Sequence, residues 1–157
     1  MSDRRDFLVL ATAASLARLL ASAGLLASAG LARAGERDVH AFSAGSPESV
    51  YAALGLSAPV ESAAIVIQAP DVAENGAQVP LEVTVNLPRV QRILLIGEGN
   101  RFPLLADIRL GERSKPWLEA KVKLAESSRI RVIAEADGRL LTATRDVRVI
   151  VGGCLPG

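Results

Sequence analysis

Reactive side chains are scarce here: the 157 residues include one cysteine, one histidine and one tryptophan. A single cysteine excludes an internal disulfide. The sole histidine, His40, has no second histidine or cysteine nearby to build a metal site, and a Ser–His–Asp constellation would depend on that same residue. No C-x-x-C-H haem attachment and no glycine-rich loop opening a helix occurs. Basic residues form no stripe and aromatics are 3% of the chain, which argues against a nucleic-acid partner. Neither a metal nor a cofactor is expected. Among the carboxylates, Glu74 and Glu98 sit at a turn and a strand end and read as solvated. Arg113 and Lys115 read as an ordinary polar loop, and Trp117 as a core or rim residue beginning a strand.

What is present starts with an address. The opening "MSDRRDFLVLATAASLARLLASAGLLASAGLARAGERD" runs from a charged segment with Arg4 and Arg5 through an Ala/Leu-rich stretch to the small-residue pattern Ala32-Arg33-Ala34. That order is an export signal, and the paired arginines with Phe7-Leu8 resemble its twin-arginine version. The competing reading is a retained anchor. A membrane span needs about 20 mostly apolar residues, and Arg18 interrupts this stretch, leaving a 13-residue uncharged run from Leu19 to Leu31. Residues 1–34 are therefore expected to be a signal peptide cleaved after Ala34, with the protein reaching the periplasm by the twin-arginine route. Residues 35–157 would hold 14 basic and 15 acidic side chains, the size of one domain.

Residues 35–45 read as a flexible lead-in. "SPESVYAALGL" reads as a short helix: Ser46 is a good N-cap, Pro47 suits the first position and Gly55 offers a stop. Val50, Tyr51 and Leu54 make a narrow apolar stripe. Seven strand-like runs follow, over 64–69, 79–87, 90–99, 103–110, 117–124, 129–136 and 140–151. Those at 79–87 and 117–124 alternate apolar and polar residues, so one face is buried, whereas 90–99 reads as more fully buried. Asn75-Gly76 and Asp137-Gly138-Arg139 are turn signals. Seven short strands with frequent turns predict an all-β fold, an immunoglobulin-like antiparallel β-sandwich over 46–151 with a short N-terminal helix and a flexible C-terminal arm. With so few aromatics, small aliphatic side chains must fill its interior.

The arm, residues 152–157, is "GGCLPG". Gly152 and Gly153 remove bulk and free the backbone, and an extended chain spans at most about 3.3–3.6 Å per residue. Cys154 can thus stand roughly 10 Å beyond Val151, a thiol narrow enough to enter another protein's channel. Thiolate is the reactive form, and an exposed cysteine has a pKa of about 8.5 unless neighbours lower it. No histidine or lysine adjoins Cys154 in sequence, so it is better placed to carry a group than to catalyse its transfer. Three readings stay open: a covalent carrier, an interaction module whose cysteine forms an intermolecular disulfide, and a thiol enzyme lacking a resolving cysteine.

The stretches "IVIQAPDVAENGAQVPLEVTVNLP" (65–88), "LLADIRLGE" (104–112), "EADGRL" (135–140) and "VRVIVGGC" (147–154) resemble SoxY, the sulfur-carrier family of thiosulfate oxidation. The resemblance implies a β-sandwich paired with a SoxZ-like β-protein as a heterodimer. It also implies that Cys154 bears thiosulfonate, persulfide and S-sulfonate intermediates, with Gly152 and Gly153 as its flexible approach. Three partner enzymes would visit it: a haem sulfur transferase, a manganese hydrolase and a molybdenum–haem sulfur dehydrogenase. Any metals would then belong to those partners, and the chain itself would be a non-catalytic carrier. The ending departs from the family's usual Gly-Gly-Cys-Gly-Gly: here Leu155-Pro156 follows the thiol, adding bulk and stiffness.

Overall fold

The computed structural model describes residues 38–150. The expectations for Arg4, Arg5, Ala32 and Ala34, and for Gly152, Gly153 and Cys154, lie outside these described residues. Within them the chain begins with helix, and the flexible lead-in expected up to residue 45 is corrected. Asp38 caps α1 (Val39–Ser43) by accepting a hydrogen bond from the Ala41 amide at 3.0 Å. The apolar side chains Ala41 and Phe42 hold this turn against the sheet beneath it, which the polar composition of 35–45 does not advertise. Helix α2 (Pro47–Ala53) follows as expected. Ser46 Oγ accepts from the Ser49 amide at 3.1 Å, Pro47 opens the helix, and Gly55 ends it with φ +64°. That left-handed angle is where glycine is favoured.

The rest is β-structure: β1 (Val60–Glu61), β2 (Ile65–Gln68), β3 (Val72–Ala73), β4 (Val79–Val85), β5 (Val90–Gly97), β6 (Leu104–Arg109), β7 (Trp117–Val122), β8 (Ser128–Ala136) and β9 (Arg139–Val149). Seven of these are the expected runs with ends shifted by no more than two residues; β1 and β3 are additions. Two sheets form. The larger has the order β1-β9-β8-β5-β6, with β3 also on β9; the smaller is β2-β4-β7. The long pairings are antiparallel, and the chain is the expected β-sandwich. The two short additions run parallel to β9, β1 beside its beginning (Val60↔Leu141) and β3 beside its end (Val72↔Arg148). Both lie on the β9 edge away from β8, covering part of an edge that would otherwise offer unpaired amides and carbonyls.

Period-two alternation decides what fills the interior. Val79, Leu81, Val83 and Val85 of β4 meet Ile93 and Leu95 of β5 and Ile130, Val132, Ala134 and Ala136 of β8 in one aliphatic core, with no buried aromatic ring among them. The opposite phase of β5 is buried as well. Leu94, Ile96, Leu104 and Ile133 lie under Ala41, Val50, Phe42, Tyr51 and Leu54 of the two helices. This explains the continuous apolar run "ILLI": β5 is sandwiched between the small sheet and the helices. Each fully buried aliphatic side chain contributes about 1.5–3 kcal/mol of hydrophobic stabilisation. The tight turn at Asp137-Gly138 joins β8 to β9, with positive φ at both residues (51° and 71°).

Candidate functional site: the root of the C-terminal segment

The described structure ends at Ile150, four residues before the thiol. The geometry it does define is the base from which that segment leaves. At its end, β9 is gripped from both sides. On one side the Arg148 amide donates to the Asp71 carbonyl and the Ile150 amide to the Ala73 carbonyl, each at 2.9 Å. On the other side Ser127 Oγ accepts from the Val149 amide at 3.0 Å and donates to the Val149 carbonyl at 3.3 Å. The Val149 side chain is buried in the main core. Backbone hydrogen bonding and core packing therefore persist to the last residues before the segment that carries Cys154.

Gly76 makes this grip possible. A Cβ at that position would overlap the Leu124 carbonyl oxygen and lie 2.8 Å from Val149 Cγ1. The Leu124 amide donates to the Gly76 carbonyl at 2.7 Å. Asn75-Gly76 was expected as a turn. It does lead a 3-10 turn (Gly76–Gln78), with Asn75 Oδ1 accepting from the Ala77 amide at 2.9 Å. The glycine itself, however, is required by close approach of other chain segments.

The loops around this end are tied together. Asn100 donates through Nδ2 to the Lys123 carbonyl and accepts at Oδ1 from the Ala125 amide, both at 2.8 Å. Ser128 Oγ accepts from the Gly99 amide at 2.7 Å. Beside the root lies a shallow groove lined by Asp71, Val72, Ser127, Arg129, Asp146 and Arg148. It is electrostatically mixed: Arg129 pairs with Asp146 at 3.3 Å, and Arg145 pairs with Asp71. Val72, Ile150 and, in the β5–β6 loop, Phe102 are exposed apolar side chains at this end.

Glu98 corrects one expectation. It is not a freely solvated carboxylate: it accepts from Arg131 Nε at 2.7 Å, with both side chains about three-quarters covered (20% and 25% exposed). Burial by itself lowers the Arg131 pKa, but the Glu98 hydrogen bond and charge, aided by Tyr51 and Glu61, outweigh it and hold the guanidinium more firmly protonated than usual. Burial likewise pushes the Tyr51 hydroxyl up, with Arg131 pulling it the other way. These side chains join α2 to the sheet beside the groove lined by Pro47, Glu48 and Pro59. Sequence reasoning missed the pair because its partners lie 33 residues apart.

Of the remaining candidates only Glu74, the residue after Ala73, adjoins the root. His40 is exposed on α1, Glu74 is exposed, and Arg113 and Lys115 lie in the exposed β6–β7 loop, as expected of a polar connection. Trp117 begins β7 as expected but does not enter the core: it is 51% exposed on the outer face of the strand, and its indole N–H donates to Glu82 Oε1 at 3.0 Å. Among the described residues no group of three His, Cys, Asp or Glu side chains could hold a metal ion.

Comparison with known proteins places these features. The sequence model of one family, "Sulfur oxidation protein SoxY", matches residues 50–154. The structure of "the sulfur carrier protein SoxY from Chlorobium limicola f thiosulfatophilum" superimposes with a TM-score of 0.58 at 35% identity, covering 66% of this chain and 94% of that one. A superoxide reductase (neelaredoxin) from Ignicoccus hospitalis is similar at a TM-score of 0.46 and 17% identity, covering 55% of this chain and 80% of that one. No curated protein sequence matches.

Proposed function

The chain belongs to the SoxY family of sulfur oxidation proteins, and from that premise we propose that it is a periplasmic carrier holding sulfur-oxidation intermediates covalently on Cys154. The observation that carries the reading is the extent of the family match: it runs through residue 154 and so takes in Gly152, Gly153 and the thiol. The firm grip on Val149 supports it physically. A domain that orders its last strand up to the base of a glycine-led segment gives the thiol a fixed origin and a reach of about 13 Å from Ile150.

The chemistry is balanced without a catalytic group on this chain. The Cys154 thiolate and thiosulfate form a new S–S bond, giving a cysteine S-thiosulfonate and releasing two electrons, which the haem sulfur transferase accepts. Water then cleaves the terminal S–S bond in the manganese hydrolase, leaving a persulfide on Cys154 with sulfate and two protons as products. The molybdenum–haem dehydrogenase accepts six electrons from the outer sulfur while three waters supply its oxygens and release six protons, and hydrolysis of the resulting S-sulfonate frees sulfate and restores the Cys154 thiol. This chain contributes an attachment point and a base for presentation. A SoxZ-like β-protein completes the carrier as a heterodimer, and the leader of residues 1–34, with Arg4, Arg5, Ala32 and Ala34, exports it by the twin-arginine route.

Intact mass spectrometry after exposure to thiosulfate and the partner enzymes tests the carrier. Adduct masses are expected on the wild type and none on Cys154→Ser; identical masses for the two overturn the reading. N-terminal sequencing of the exported protein tests the address, with Gly35 expected as its first residue.

A further inference from the structure

Asn75-Gly76 is the one place in the chain where glycine follows asparagine. That dipeptide carries its own chemistry, because the glycine nitrogen, unhindered by a Cβ, can attack the asparagine side-chain amide. An N–C bond forms at Cγ, the Cγ–Nδ2 bond breaks and ammonia leaves. Water then opens the cyclic imide at one of its two carbonyls. One opening gives aspartate; the other gives isoaspartate, whose main chain runs through Cβ. The sum takes up one water and releases one ammonia, with no change of oxidation state.

The structure exposes the reacting groups and holds them apart. Asn75 is exposed, and among the described residues the Gly76 amide has no acceptor. Yet Asn75 sits at ψ 102°, which turns the Gly76 nitrogen away from Cγ, and its Oδ1 is held by the Ala77 amide. Ring closure needs rotation about the Asn75 Cα–C bond, and the neighbours are pinned. The Gly76 carbonyl accepts from the Leu124 amide, and Gly76 lies too close to Leu124 and Val149 for a Cβ to fit. Ala73, two residues before Asn75, is paired with Val149. The reaction therefore proceeds from a locally opened turn, and the contacts that must open are those that hold the end of β9. The other asparagines lack this arrangement: Asn86 and Asn100 precede the bulkier Leu87 and Arg101, and Asn100 is tied by two hydrogen bonds.

We propose that Asn75 is a deamidation site, and that its conversion to isoaspartate releases the root of the thiol-bearing segment. The isoaspartyl linkage adds one atom to the main chain beside a glycine that has no room to spare, and it sets a new carboxylate next to Glu74. Gly76 or β3 must take up the added length, so the bonds donated by the Leu124 and Ile150 amides loosen together. Plain aspartate keeps both the backbone and an acceptor for the Ala77 amide, and leaves the root intact. The inference needs no ligand and no partner, so it stands or falls separately from the cargo of Cys154.

The full-length protein and a peptide of residues 70–80 are incubated side by side at mildly alkaline pH. Peptide mapping with electron-transfer fragmentation separates isoaspartate from aspartate, and amide exchange reads the root. Isoaspartate is expected at Asn75, with Asn86 and Asn100 unchanged, and it should form more slowly in the protein than in the peptide. Ser127→Ala removes both hydrogen bonds to Val149 and should speed conversion about tenfold, since each lost bond favours the opened form several-fold. In the converted fraction the Val149 and Ile150 amides should exchange about tenfold faster or more. Asn75→Asp should exchange there like fresh wild type, and Asn75→Gln should pass through the same incubation unchanged.

An Asn75 amide that persists in Ser127→Ala while the peptide converts overturns the proposal. Equal rates in protein and peptide overturn it too, because turn and root would then open independently. So does isoaspartate at Asn75 beside undiminished protection of Val149 and Ile150.

Discussion

The two outer faces of the sandwich are built from the same alternating strands and meet opposite fates. On the large sheet, Leu94, Ile96 and Ile133 face outward and are buried under Val50 and Tyr51 of α2 and Ala41 of α1. On the small sheet, Val66, Thr84 and Trp117 face outward and stay in contact with water. The difference is visible in composition: the covered face is aliphatic, whereas the bare one mixes an indole with Gln68, Glu82, Glu119 and Lys121. A covered face adds to folding stability; a bare one leaves an ordered indole in water. Position on a sandwich therefore does not settle a residue's role, and what lies above it does.

Truncation should break the symmetry between the faces most strongly. Leu94→Ala removes a fully buried side chain and should cost about 3 kcal/mol, while Val66→Ala should stay within about 0.5 kcal/mol; urea unfolding of both variants measures the gap, and equal costs would mean that the helices add no effective cover. Charge comes next. Arg92 makes a bidentate pair with Asp107 (2.7 Å for both bonds) on the covered sheet, with side chains only 13% and 14% exposed. Asp107→Ala leaves that guanidinium partly buried without its acceptor and should cost about 2 kcal/mol. Glu119→Lys on the bare sheet should be neutral or stabilising by up to about 0.5 kcal/mol, since it relieves the opposition with Glu82, its cross-strand partner on β4. The same denaturation series reads both signs.

A smaller effect tests where the two layers join. Gly76→Ala forces a methyl against the Leu124 carbonyl and Val149 and should cost about 1–2 kcal/mol by overpacking. Amide exchange should speed up at Val149 and Ile150 before it does in β5. The smallest effect lies at the β8–β9 turn. The Arg89 guanidinium, by its hydrogen bond and then its charge, holds the Asp137 carboxyl below the usual carboxylate range. A carboxylate lowered in the folded state stabilises above its unfolded pKa of about 3.9 and loses that contribution as pH falls through the folded value. Arg89→Gln should therefore flatten slightly the loss of stability between about pH 5 and pH 2. Both side chains are exposed, so the change is small, and an unchanged acid limb would mean that solvent screens the pair entirely.

Much of this was legible in the chain itself. The β4 and β7 alternations, the unbroken apolar run of β5, the Ser46 cap with Pro47, and the Asp137-Gly138 turn each report a local cause, and the structure follows them. Glu98 read as solvated because its partner Arg131 lies 33 residues away and is brought to it only by the pairing of β5 with β8. Strand β3 was hidden for a related reason. Two residues, Val72 and Ala73, cannot show a period, and their pairing with Arg148 and Val149 spans about half the chain.

The sequence by itself determined the number and phase of the long strands, the aliphatic core, and a lone thiol behind two glycines, because burial and backbone freedom are written residue by residue. Tertiary structure alone decided that Gly76 is a contact glycine, that Ser127 and β3 grip the last strand where the thiol-bearing segment begins, and that Trp117 lies on an uncovered face. Each of those depends on which distant segment arrives beside a residue, and that is set by packing of the whole sandwich rather than by any local pattern.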